Sequence, residues 1–478
     1  MSDLRNSAPL MDAYLFYFES ARTPFTIPGH KQRASRLDLG LGVLVDSDTP
    51  LYGGLDEIKL TNQTLKKAEK LAADFWGADY ARFSTGGSTH ANQAIVLALG
   101  APGDKVAVSR TAHRSILSAL VLAGLEPIWM SPDIDEATGV PIGIGIDELK
   151  RALAQNPIAV LLTEPGYLGT ISDLPALIAT SHQQSVPVIL DAAWGGHFGF
   201  HPDLPKHAIQ LGADALITSV HKALPGYSAS ALLIAQGKYL NLDRIEQSFE
   251  TTHTTSPAGA PLASIDGVRA LLQTRGEELI SNLLRNVEQF KETVQSEFAL
   301  PIFLYPTDFP AGRFDPTKIV LRVQQLGASG VEIEKDLQAA GIRVEMADRD
   351  TIVFLATLAD TEAEFSALAD ALIPILKRRQ EQRRESATAL SWSVVPQRGI
   401  SMRDAYFAKT EMIEASHAEG RISADLIAPY PPGVAVVAPG EVLTSQILQG
   451  LKASKDAGVR IAYATDATLT SYRVVKNS

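Results

Sequence analysis

Cysteine is absent from all 478 residues. Disulfides, thiolate-bound metals and cysteine nucleophiles are therefore excluded. Positive charge is the scarcer sign, with 43 Lys and Arg against 54 Asp and Glu, a formal net charge of −11. Nucleic-acid binding needs a basic face, so no nucleic-acid partner is expected, whereas a cationic small molecule suits an acidic protein. Long apolar runs are missing too. No stretch approaches the roughly 20 residues that span a bilayer, so no membrane association is expected. The opening residues carry Asp3, Arg5, Asp12 and Glu19 around a short apolar patch, with neither a signal-peptide core nor a cleavage site. The sequence reads as cytoplasmic. Its 45% hydrophobic and 20% charged content is that of a folded protein rather than a disordered one. The length allows one large domain with one or two smaller ones.

Residues 1–60 are rich in turn residues and read as an irregular N-terminal arm. Pro24 and Pro28 exclude a helix over 23–31, and 51–56 is another loop. From 62 to 76, Leu65, Ala68, Leu71, Ala72 and Phe75 fall on one helical face. Helices then alternate with short apolar strands at 106–108, 127–130, 158–162, 186–190, 213–217 and 231–235. This alternation predicts crossover units and a largely parallel sheet buried on both faces, within a large domain at 61–298. Residues 268–298 predict one long helix leading out of it. A small α+β domain is expected over 299–385, with strands at 319–323, 342–346 and 352–356 and helices at 331–340 and 362–377. Arg378 to Arg384 reads as the solvated end of the second helix. Residues 386–399 read as a linker into a C-terminal domain, 386–478, where a helix is predicted over 403–418.

In parallel sheets, ligands sit beyond the carboxyl ends of the strands. The strand at 186–190 ends in Asp191-Ala192-Ala193-Trp194, and the strand at 213–217 runs into Thr218-Ser219-Val220-His221-Lys222. Upstream, Ser84-Thr85-Gly86-Gly87-Ser88-Thr89 opens a helix, while His113 and Glu164 end other connections on the same edge. A lysine, an acid and a hydroxyl-rich helix start are what pyridoxal phosphate (PLP) requires. The lysine forms a Schiff base, the acid keeps the pyridine nitrogen protonated, and the helix start holds the phosphate. Plainer readings stand beside these: Lys222 as a surface lysine, His113 as a solvent-facing helix start, and Trp194 as a core aromatic. His197 and His201 read as turn residues rather than metal ligands. Gly195, Gly196, Gly199 and Pro202 oppose the helix their spacing would need.

The markers in order are Pro24-Phe25-Thr26-Ile27-Pro28-Gly29-His30-Lys31, the 84–92 loop, His113-Arg114-Ser115, Asp191-Ala192-Ala193-Trp194 and Ser219-Val220-His221-Lys222. They continue with Thr254-Thr255-Ser256-Pro257, Gly341-Ile342-Arg343-Val344-Glu345 and Pro429-Tyr430-Pro431-Pro432-Gly433. Together they resemble the ornithine/lysine/arginine decarboxylase family over most of the chain. The resemblance implies an α/β, fold-type-I PLP-dependent large domain, aspartate aminotransferase-like, with a smaller α+β C-terminal region. It implies Lys222 as the Schiff-base lysine, Asp191 on the pyridine nitrogen and His113 stacked on the ring. Ser88, Thr89, Ser219 and His221 would hold the phosphate, with Ala193 beneath the ring and Trp194 beside it. Lys222 or His221 would return the proton.

The implied reaction takes arginine, lysine or ornithine to its amine and CO₂, in polyamine metabolism. Carboxylates must meet the basic end of such a substrate, and Asp56, Glu57, Glu345 and Glu441 are candidates, each also readable as a plain surface acid. A homodimer or dimer of dimers with the active site at the subunit interface is implied. The N-terminal wing domain of the family's large members is lacking, so their ten-subunit assembly is not expected. Three segments depart from the family pattern: Ala258-Gly259-Ala260-Pro261 where an aromatic is usual, Thr49 to Glu57 in place of a more acidic stretch, and Pro165-Gly166-Tyr167 in a substrate-side turn. They leave room for an aminotransferase, racemase or cyclase on the same scaffold, or for a non-catalytic PLP-binding sensor.

Overall fold

The computed structural model describes residues 7–20, 48–49, 64–384, 396–430, 433–456 and 458–476. The loops expected at 23–31 and 51–56, the candidates Asp56 and Glu57, and most of the 386–399 linker lie outside the described residues.

The large sheet uses β1 (Tyr80–Ser84), β2 (Lys105–Ser109), β3 (Glu126–Met130), β6 (Val160–Thr163), β7 (Val188–Asp191), β8 (Ala215–Ser219) and β9 (Ala231–Ala235). Between them, β4 (Pro132–Ile134) and β5 (Pro141–Ile144) form a separate hairpin. The spatial order is β1-β9-β8-β7-β6-β2-β3. Only β9 runs against its neighbours; the pairs from β8 across to β3 are all parallel. The carboxyl ends of the other six strands therefore share one edge. Alternate residues of the central strands feed opposite cores. Leu216 and Leu232 pack on one face, and Ala215, Ile217 and Leu233 on the other. That is the period-two consequence of burying both faces, and it explains the unbroken apolar runs.

The N-terminal arm is not irregular throughout. Pro9–Ser20 is a helix, with Leu10 buried and its N–H donating to Asp266 at 2.8 Å. Pro9 suits a first helical turn, where its missing N–H costs nothing. The long helix spans Gly259–Gln295 and so begins ahead of residue 268. Its start contains the departing segment at 258–261. A Cβ on Gly259 would meet Thr49 Oγ1 at 2.8 Å, so close packing on Thr49 accounts for that glycine. Helix Leu242–Thr252 and strand β1 were not foreseen from the apolar pattern.

In the small lobe, β10 (Ile319–Arg322), β11 (Met346–Ala347) and β12 (Thr351–Phe354) form an antiparallel sheet, with helices Gly330–Ala339 and Glu362–Arg379. The strand predicted at 342–346 shrinks to Met346–Ala347. Arg378 and Arg379 are not merely solvated: both pair with Asp336 across to the neighbouring helix. In the C-terminal region, the helix predicted over 403–418 is instead helix Met402–Phe407 followed by β13 (Thr410–Glu414). Shorter strands β14 (Ala428–Tyr430) and β15 (Arg460–Ala462) pair with each other, while β13 pairs with β16 (Ser471–Val475). That partner lies far along the chain, where local periodicity carries no information about it.

Candidate active site

Five strand-end or helix-start segments, together with Ala229 just before β9, meet in a cavity of about 310 Å³ on the shared carboxyl edge. The cavity brings together Ser88, Thr89, His113, Asp191, Ala193, Trp194, Ser219, His221 and Lys222. Thr163, at the end of β6, and Pro165 and Tyr167 also line it; Tyr167 belongs to the turn expected on the substrate side, whereas Thr163 was not singled out from sequence. Its size is at the lower end for a small-molecule site.

One end of the cavity is built for an anion. Helix Gly87–Leu99 starts there, and the first-turn N–H groups of Ser88 and Thr89 have no intrahelical partner. Gly87 sits at φ +68 and donates to the Ala229 carbonyl at 2.7 Å, a turn that favours glycine. Ser88 Oγ meets Ser219 Oγ at 2.8 Å, joining this helix to the end of β8. His221 adds an imidazole whose Nδ1 donates to the Ser230 carbonyl at 2.9 Å, which leaves Nε2 for a ligand.

The other end holds a fixed carboxylate. Asp191 is 3% exposed; its Oδ2 accepts from Asn92 Nδ2 at 2.9 Å and its Oδ1 from Ala193 N at 3.2 Å. Asn92 also donates to Ser115 Oγ at 2.9 Å, and Ser115 N donates to His113 Nδ1 at 3.2 Å. One network thus orients both the acid and the histidine. Because a backbone N–H donates to Nδ1, the neutral ring carries its proton on Nε2. Burial lowers the proton affinity of His113; Asp191 opposes this, while Lys222 and Arg114 add to it. Sequence reading missed Asn92 and Ser115. The available signal was spacing, since Asn92 lies one helical turn beyond Ser88 on the same face.

Lys222 lies between these ends, with Nζ 4.6 Å from the centre of the Trp194 ring. Burial lowers its proton affinity, opposed by Asp191 and Glu345. The site thus offers donors for a phosphate, a carboxylate for a ring nitrogen, an aromatic face at His113 and an amine for an aldehyde. These are the distinct ends of PLP, and the residues fit it.

The other predicted acids fare differently. Glu345 is exposed and acts electrostatically on Lys222. Glu441 is a correction. It is 2% exposed, and its oxygens accept from Arg110 Nη1 at 2.7 Å and Nη2 at 3.0 Å. Ala438 N donates to it as well, so both oxygens of this buried carboxylate are engaged by the fold itself. The pair ties the C-terminal region to the loop that leads to His113. Removing one member of a buried pair strands the other charge. Glu441→Ala is therefore expected to cost about 3–5 kcal/mol, read as a lower thermal midpoint, with KM unchanged in the protein that stays folded. A raised KM at unchanged stability would return Glu441 to the substrate. Glu164 also turns away. It lines a second cavity of about 440 Å³, and burial pushes its pKa up to about 7 against hydrogen bonds from Ser172. His197 and His201 bond to Asp315 and Ser281. Among the described residues no group of three or more His, Asp or Glu is placed to hold a metal, and no helix is long and apolar enough to cross a membrane.

Solved structures share this architecture. A lysine decarboxylase of Francisella novicida superposes with a TM-score of 0.81 at 21% identity, covering 99% of this chain and 82% of that one. A serine palmitoyltransferase of S. paucimobilis with PLP bound gives 0.53 at 15% identity, over 66% and 76% of the two chains. The fold is that of a fold-type-I PLP-dependent enzyme. Residues 8–307 match the family described as Orn/Lys/Arg decarboxylase, major domain, and residues 386–461 match its C-terminal domain. The arginine decarboxylase of Bacillus subtilis (strain 168) is 33% identical over 465 residues, 95% of this chain and 94% of that protein. The chain belongs to the Orn/Lys/Arg decarboxylase family. It is a PLP-dependent decarboxylase of a basic amino acid, and the aminotransferase, cyclase and sensor readings are not favoured.

Proposed function

We propose that the substrate is arginine and the products are agmatine and CO₂, an entry to polyamine synthesis in the cytoplasm. The observation that carries this reading is the near end-to-end similarity to a relative named arginine decarboxylase. Bound PLP supplies an electron sink for the bond that breaks when CO₂ leaves. The protein's own groups do the rest. Ser88, Ser219, His221 and the helix start would anchor the phosphate. Asp191 would keep the ring nitrogen protonated, and neutral His113 would shield the ring from water. Lys222 Nζ would hold the cofactor until substrate binds, and the freed amine would return a proton to Cα.

The far end of the substrate needs a carboxylate, and a guanidinium favours a bidentate one. The only acid lining the described cavity is Asp191, which is committed to the ring. Glu345, exposed and near enough to Lys222 to act on its charge, is the described candidate for the guanidinium. Asp56 and Glu57, and a second copy of the chain in a homodimer or dimer of dimers, remain part of this proposal. The test is turnover of arginine, lysine and ornithine by the purified protein, with products identified by mass. Agmatine should form with a kcat/KM at least roughly tenfold above that for cadaverine formation from lysine, about 1.4 kcal/mol of discrimination. Equal efficiency on lysine would sink the assignment to arginine.

A further inference from the structure

Lys318 is a buried cation for which the chemistry above has no use. It stands just before β10 and is 3% exposed. Its stem crosses Gly169, where a Cβ would come within 2.7 Å of Lys318 Cγ, so a glycine at φ +92 keeps that path open. The acid nearest in sequence, Asp315, is already bonded to His197 and to Thr317. Asp315 and Glu345 favour the charged lysine only at a distance, and burial lowers its pKa to about 8.

What Lys318 touches is Trp194. Its Nζ is 3.9 Å from the centre of the indole, and Lys222 Nζ is 4.6 Å from the same ring. Trp194 and Lys222 line the cavity, whereas Lys318 does not. The second ammonium therefore sits at the cavity wall and acts through it, without touching what is bound inside. The indole face attracts a cation, which helps hold the lysine there. Two ammonium groups sharing one ring in a water-poor setting repel each other. Facing Lys222 are Asp191 and Glu345, which favour its charge, and the neutral ring of His113. Among the described residues, Lys318 is the cation that shares the Trp194 ring with Lys222, and the repulsion between the two shows as Lys222 lowering the proton affinity of Lys318.

We propose that Lys318 is a positioning residue, whose charge beside the Trp194 indole disfavours a second positive charge on Lys222 and so keeps that amine nucleophilic at neutral pH. This rests on Lys222 being the amine that captures PLP. Neighbouring cations are a known means of activating a reactive lysine.

The test is the rate at which full-length protein, stripped of cofactor, regains its visible absorption band when PLP is added, followed across pH. Lys318→Met removes the charge and keeps an unbranched stem; Lys318→Arg keeps the charge. In Lys318→Met the midpoint of the pH–rate curve should rise by about one unit, slowing capture near neutral pH roughly tenfold. Lys318→Arg should follow the wild type. A purely structural lysine would lower the thermal midpoint without moving the pH–rate curve. A folded Lys318→Met that captures PLP with the wild-type pH dependence overturns the proposal, and Lys318→Gln serves if the Met variant does not fold. A wild type that gains no visible band would instead overturn the PLP reading itself.

Discussion

Lys222→Ala should abolish turnover, lowering kcat by roughly four orders of magnitude or more, and should leave PLP without a covalent hold. Lys222 is the only lysine lining the described cavity. The next amine, Lys318, lies at the wall outside it and cannot take over. In the proposed mechanism the lost group has two tasks, holding the cofactor and moving the proton at Cα, so its removal should damage both halves of the cycle. The proposed phosphate-end contacts from Ser88, Ser219 and His221 would remain, and they should still bind PLP reversibly. The measurements are CO₂ release, and retention of the reduced cofactor, read by its near-ultraviolet absorbance, through denaturing gel filtration after borohydride treatment. Wild-type protein should keep the reduced cofactor and the variant should lose it. Turnover above about 1% of wild type, with PLP still attached after reduction, would move the reactive amine elsewhere.

Asp191→Asn should keep the cofactor but lower kcat by about a thousandfold, with a much smaller change in KM. The buried carboxylate accepts hydrogen bonds from Asn92 and Ala193, and in the proposed mechanism its charge would keep a proton on the ring nitrogen. An amide of the same shape supplies no such charge. It also turns an NH₂ group toward one of two donors, Asn92 Nδ2 or Ala193 N, so one hydrogen bond is lost. The expected signature is a full complement of PLP with an altered visible spectrum and slow CO₂ release. A kcat within tenfold of wild type would mean that this acid does not sustain the electron sink. Asn92→Ala offers no substitute test, because it also breaks the link to Ser115 and His113.

Much of this site could be read along the chain. Strand ends are visible as apolar runs that stop, and a parallel sheet sends all such ends to one edge. Asp191, Ser219 and Lys222 follow directly from that rule. Ser88 and His113 follow from helix starts, where unpaired N–H groups and short polar side chains gather. The errors have one source. Residues 403–418 carry a helix-like spacing, yet Thr410–Glu414 is a strand because Ser471–Val475 lies beside it. Glu441 reads as a surface acid until Arg110, distant in sequence, is folded against it. Asn92 reads as one more helix polar residue until Asp191 arrives 2.9 Å away.

The sequence alone determined the alternation of strand and helix, the edge on which the cavity stands and the residue types gathered there, because these depend on backbone period and on where the period breaks. Only the tertiary structure decided which charges are spent on stability and which are left for reaction. Lys318 and Lys222 are the same residue type and meet at one indole, yet only Lys222 lines the cavity. What a charge does depends on its partners and on the water around it, and both are set by segments that meet only when the chain folds.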